Sequence, residues 1–247
     1  MSAVLKSKNI LITILIFVAM IATTVISGWY LQKSILIQIS DNFVPMQFNT
    51  AICFLLSALA TIFLILQKKK LSILLAIALL ILAGLSGVQY LIGQDFGIDQ
   101  IFMDAYLLVH TTYPGRMGIS TSICFALVGI IVISQNRANN LWFINHSVMV
   151  VIAIALLSFI GYLGNINTAY VWGNMSGMAV HTAFNFIILG AVIFIHQILR
   201  DQNKTSIQSW HIAPTITACL ILFLGFWQSL ESFQIQQIEK QILGRDD

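Results

Sequence analysis

Met46-Gln47-Phe48-Asn49-Thr50-Ala51-Ile52-Cys53-Phe54 stands at the head of a long apolar run, and its pattern returns twice further along the chain. Met117-Gly118-Ile119-Ser120-Thr121-Ser122-Ile123-Cys124-Phe125 and Met178-Ala179-Val180-His181-Thr182-Ala183-Phe184-Asn185-Phe186 both keep Met-x-x-x-Thr-(Ala/Ser)-x-x-Phe. A pattern recurring along a chain marks a structure assembled from repeated units. On a helix, residues four apart share one face. Met46, Thr50 and Phe54, Met117, Thr121 and Phe125, and Met178, Thr182 and Phe186 are therefore expected to pack three equivalent helices together.

The solvent for those helices follows from composition. Of 247 residues, 58% are hydrophobic and 9% charged, and the mean hydropathy is +0.90. A soluble domain carries roughly a quarter charged residues, so this chain has too few to coat a water-facing surface. Apolar runs of about 20 residues cross a bilayer as helices, and they are too long for barrel strands. Seven segments qualify, at about 9–29, 46–67, 71–93, 117–134, 141–163, 177–199 and 211–229. The expected fold is an all-α polytopic transmembrane bundle of three pseudo-repeated helix pairs plus an unpaired seventh helix. It occupies residues 1–229, with a short amphipathic tail at 230–247.

Basic residues orient the bundle. With the amino terminus in the cytoplasm, the inner side holds Lys6, Lys8, Lys68, Lys69, Lys70, Arg137, Arg200 and Lys204, while the outer loops hold Lys33 and Arg116. That asymmetry is the positive-inside pattern, and seven crossings then leave the carboxyl terminus outside. The apolar stretch after Lys8 is longer than a signal-peptide core and reads as an uncleaved first helix. The net charge of +3 is scattered at helix ends, which argues against a nucleic-acid partner. Cys53, Cys124 and Cys219 fall inside apolar runs without metal-ligand spacing, so small buried side chains at helix contacts are expected rather than disulfides or a metal site. Trp29, Tyr30, Tyr90, Tyr162 and Trp227 stand near the outer ends of odd-numbered helices, where an interfacial aromatic belt is expected.

Candidate site residues come from two places. The residue before each repeat threonine is polar: Asn49, Ser120 and His181. These either hydrogen-bond across helix contacts or converge beneath the outer surface and line a pocket. The longest outer loop, about 93–116, carries Asp95, Asp99, Asp104, His110 and Arg116. Arg116 either clamps the loop to Asp95 or Asp99, or receives an anionic ligand through a guanidinium suited to carboxylates. Asp99, Arg116, Asn49, Ser120 and His181 form the candidate ligand site.

A transmembrane haem needs two imidazoles on facing helices at matching depth, so His146 with His196 or His211 is an alternative to the expectation of no cofactor. No Asp, Glu, Lys or Arg falls mid-span, although ion-coupled transporters usually bury such groups. A permease or channel is thus the rival reading, and no catalytic set is apparent. In the tail, Ile235, Ile238 and Ile242 are spaced three then four. That spacing suits either a stalk pairing two copies or a solvated terminus.

Four segments carry a resemblance: Pro45 to Leu56, Leu91 to Gln100, Pro114-Gly115-Arg116-Met117 and Met178 to Phe186. In that order they resemble the polytopic amino-terminal membrane region of bacterial sensor histidine kinases and diguanylate cyclases. The resemblance implies a non-enzymatic sensory input role in the bacterial inner membrane. It also implies a cytoplasmic output domain or a separate signalling partner, because no kinase or cyclase sequence precedes Asp247.

Overall fold

In hydrocarbon a backbone must satisfy its own hydrogen bonds, and among the described residues seven helices do so. A computed structural model describes residues 2–137, 140–201 and 212–243. The helices are α1 (Ser2–Leu31), α2 (Phe48–Ile65), α3 (Lys69–Ile92), α4 (Ile119–Arg137), α5 (Leu141–Leu163), α6 (Val180–Asp201) and α7 (Ile212–Leu243). All seven contain stretches long and apolar enough to span a membrane. The chain is an all-helical integral membrane protein.

Helices α1, α3 and α5 each pair with the helix that follows, and contacts of α2 with α3, α4 with α5 and α6 with α1 close the pairs into a ring. The even helices are more buried than α1 and α3: 67% of α2's apolar window and 56% of those of α4 and α6 are buried, against 28%, while α5, also at 56%, is covered in addition by α7. At the centre, Phe54, Phe125 and Phe186 are fully buried. Their ring centroids lie 4.7, 4.8 and 4.6 Å apart, a closed triangle of edge and tilted contacts within the favourable aromatic range. The repeat phenylalanines thus plug the pseudo-threefold axis, and the repeat threonines are buried around them.

The methionines behave differently from expectation. Helices α2, α4 and α6 begin two residues after Met46, Met117 and Met178, so these residues enter the helices rather than belong to them. All three are buried. The small repeat residue closes the first helical turn: Ala51, Ser122 and Ala183 donate their N–H to the carbonyls of Gln47, Gly118 and Ala179. That leaves the methionine carbonyl just outside the helix in need of a donor.

An aromatic on the preceding outbound helix supplies it each time. Trp29 Nε1 donates to Met46 O at 2.9 Å, Tyr90 Oη to Met117 O at 3.0 Å, and Tyr162 Oη to Met178 O at 2.9 Å. The expected aromatic belt is therefore corrected at these positions. Trp29 and Tyr162 are buried inside the bundle and Tyr90 is half-buried, while Tyr30 and Trp227 remain exposed. The reason is energetic, since a buried carbonyl without a donor costs more than an exposed ring gains.

Helix α7 lies outside the ring against α5 and the loop after it. It continues unbroken to Leu243, into the residues expected to form a separate tail. Its 32 residues span about 48 Å at ~1.5 Å per residue, more than the ~30 Å of hydrocarbon. Ile235 and Ile238 are exposed on it. Cys219, expected at a helix contact, is exposed on α7 instead, whereas Cys53 and Cys124 are buried.

Candidate functional site

The three connections at the loop-bearing end are built on one scheme. Three residues after each aromatic the chain turns left-handed, at Gln32 (φ 53°), Gly93 (φ 70°) and Asn165 (φ 52°). In the first and third connections the next residue bonds back to a glycine: Lys33 N to Gly28 O at 2.9 Å, and Ile166 N to Gly161 O at 2.8 Å. A 3-10 turn follows in each, Ser34–Leu36 and Asn167–Ala169. The chain then returns through Met46 N to Ile37 O and Met178 N to Tyr170 O. Glycine is required because the turn packs directly on the helix: a Cβ on Gly28 would lie 2.7 Å from Leu36 Cβ, and one on Gly161 2.6 Å from Ala169 Cβ.

The second connection replaces that glycine with Gln89, which is fully buried. Its side chain reaches into the longer loop, where Oε1 accepts from Phe96 N at 2.7 Å and Nε2 donates to both carboxylate oxygens of Asp99 at 3.0 and 3.1 Å. Asp99 in turn accepts from Arg116 Nε at 2.6 Å. The Arg116 Nη2 donates to Gln89 Oε1 at 3.3 Å and lies 3.5 Å from the exposed carboxylate of Asp95. The guanidinium sits over the rings of Tyr113 and Tyr90, 4.3 and 5.3 Å from their centroids. Asn49 Nδ2 donates to the Ile98 and Asp99 carbonyls.

Arg116 and Asp99 are 2% and 5% exposed, so this is a buried ion pair. Such a pair offsets its desolvation only when good geometry and further hydrogen bonds satisfy the remaining polar atoms. Gln89 provides those bonds to both side chains, and Asn49 holds the loop backbone beside them through the Ile98 and Asp99 carbonyls. Gly115 is obligatory beside them, with φ 73° and a would-be Cβ 2.6 Å from Asp99 O. The latch ties α2, α3 and the start of α4 to one loop. A carboxylate ligand at Arg116 must therefore displace Asp99.

Asn49 and Arg116 thus meet at Asp99, whereas Ser120 and His181 are buried elsewhere. Each inbound helix begins against the loop of the next unit around the ring. Asn49 bonds the second loop, and Gly118, ahead of Ser120, meets the third loop at Ser176 and Gly177. His181 faces the first loop at Ile37. The aromatics follow the same rotation: Trp29 packs on Tyr106, Tyr90 lies beside Ser176, and Tyr162 packs on Phe43. Neither amide atom of Asn185, which is fully buried, has a hydrogen-bond partner among the described residues. Asn185 takes the place held by Cys53 and Cys124 in the other repeats.

Of the haem candidates, His146 engages the Trp142 carbonyl through Nδ1 at 2.7 Å, His196 is buried, and His211 lies outside the described residues. Gln89 and Tyr113 were not expected from the residues; the break in the Gly28/Gly161 pattern is the signal that marks Gln89. No protein-family model, curated protein or solved structure matches the chain.

Proposed function

We propose that this chain is a membrane sensory module that responds to a small ligand or bilayer state at its loop-bearing end, by repacking helices rather than by chemistry. The observation that carries the reading is the contrast between a sealed axis and an external seventh helix. Phe54, Phe125 and Phe186 close the centre where a permease or channel would need a path. Helix α7 rests on one flank and is 17% buried in its apolar window, so its position is the degree of freedom a signal can use. The resemblance of the ordered motifs to bacterial sensor regions supports the same reading.

In this proposal the amino terminus and the Lys68 to Lys70 turn face the cytoplasm, following the positive-inside rule. The latch at Asp99 and Arg116 faces outward, and α7 passes the response to a second copy or to an output partner. A stimulus shifts such a bundle only by its differential affinity for two packings. The test places spin labels at Leu163→Cys on α5 and Gln234→Cys on α7, in a Cys219→Ser background in liposomes. Two distance populations whose ratio changes with bilayer composition or added ligand are expected. A single invariant distance, together with solute flux through the same liposomes, would overturn the reading in favour of a permease.

A further inference from the structure

Between α5, the third loop and α7 lies a cavity of about 670 Å³, within the roughly 300–1,000 Å³ of small-molecule sites. It contains none of Asn49, Asp99, Arg116, Ser120 or His181. Its deep part is apolar, formed by Ile154, Leu157, Ile221 and Leu224. Ile154 stands nine residues before the end of α5 at Leu163, so the cavity reaches roughly 14 Å below the loops at ~1.5 Å per residue. Leu224 is 61% exposed, which opens the deep part sideways toward the acyl chains.

The other end is polar and uncharged. Asn167, Gln228, Ser232 and Gln236 line it, and Asn167 Oδ1 is buried without a hydrogen-bond partner among the described residues. None of the lining residues carries a charge. A charged headgroup here would be desolvated without a counter-ion, which is costly. A hydroxyl or amide headgroup would instead supply the donor that Asn167 Oδ1 lacks. The helices part around the cavity but touch beside it: a Cβ on Gly225 would lie 2.7 Å from Leu157 Cδ2, and Thr168 Oγ1 donates to Ser229 O at 2.7 Å.

We infer that this cavity binds an uncharged single-chain amphiphile drawn from the surrounding leaflet, of the monoacylglycerol type, with its chain against Ile154 and Leu224 and its hydroxyls at Asn167 and Ser232. The lipid acts as a wedge, filling the space beside the Gly225–Leu157 contact and setting where α7 rests on α5. This deepens the sensory proposal and rests on it for the consequence of binding, though not for binding itself.

The experiment uses the full chain in phosphatidylcholine nanodiscs with a diazirine-bearing monoacylglycerol as probe. Saturable photolabelling confined to peptides covering 154–173 and 221–236 is expected. Unlabelled monoolein should compete at least fivefold better than oleate. Ser232→Trp, which fills the polar end, should cut labelling about tenfold, and Asn167→Leu about fivefold; unfolding midpoints identify variants that fail to fold. Unsaturable labelling spread over all lipid-facing helices would overturn the site, and equal competition by oleate would overturn the uncharged headgroup. The α5–α7 spin-label distance separates the two proposals. Labelling without a distance change leaves the site standing and defeats the sensory coupling, whereas a distance that responds to other stimuli without labelling does the reverse.

Discussion

The first and third loops close tightly on their helices through glycine, while the second spreads wide and is held by a buried ion pair. Both solve the same problem, which is to return the chain to a methionine whose carbonyl needs a donor. Trp29, Tyr90 and Tyr162 solve it alike in all three units. What differs is one position, glycine at 28 and 161 and glutamine at 89. Where the side chain is absent, the loop lies on the helix by van der Waals contact. Where it is an amide, the loop stands off and hydrogen bonds replace packing. A repeat can thus acquire a polar latch by changing one small residue and lengthening one loop.

The comparison breaks most severely at the ion pair. Arg116→Ala should cost about 3–5 kcal/mol, because it leaves the Asp99 carboxylate buried and unpaired. Unfolding in mixed micelles measures this, and Arg116→Met combined with Asp99→Leu should restore most of the loss. If the single variant is near neutral, the latch is no more than a surface pair.

Gly161→Ala tests the other type of loop. Its methyl would press on Ala169, and overpacking of this kind costs about 1–3 kcal/mol; Gly28→Ala should behave alike. Gln89→Leu sharpens the contrast, since it keeps the bulk but strands the Phe96 N–H and weakens the hold on Asp99. Hydrogen exchange of the peptide covering 94–100 should accelerate while the first and third loops stay protected, and equal acceleration in all three would refute a separate latch.

The smallest effect is expected at the shared feature. Tyr162→Phe removes only a hydroxyl donor, about 1 kcal/mol for a typical hydrogen bond. Tyr90→Phe should cost less, because that residue is half-exposed. Thermal unfolding of both variants in the same detergent orders them.

Helix number and a shared packing face for the repeat threonines and phenylalanines were legible from the sequence, because repeat spacing and apolar length act directly on the fold; which helices lie inside the ring was not, because every span is apolar all round. The pairing of Arg116 with Asp99 was legible as one of two options, since charge in a lipid-bound protein has few partners. The role of the methionines was not, because a backbone carbonyl has no letter of its own. Gln89 was hidden for a related reason: one amide in an apolar run looks like tolerated polarity until the loop folds over it. Asn185 is visible only when the third repeat is aligned on Cys53 and Cys124.

The aromatic-to-methionine bonds bear on the order in which the protein assembles. Each closes within a single out-and-back hairpin, across 17, 27 and 16 residues, so every hairpin can finish its own turn as it leaves the ribosome. The bonds from Asn49 to the second loop cross about 50 residues and must wait for the next hairpin. The contact of α6 with α1 must wait for the third. The ring is therefore sealed last between its oldest and youngest members, and a chain stalled before Val180 would sit in the bilayer as a complete arc without a closing seam.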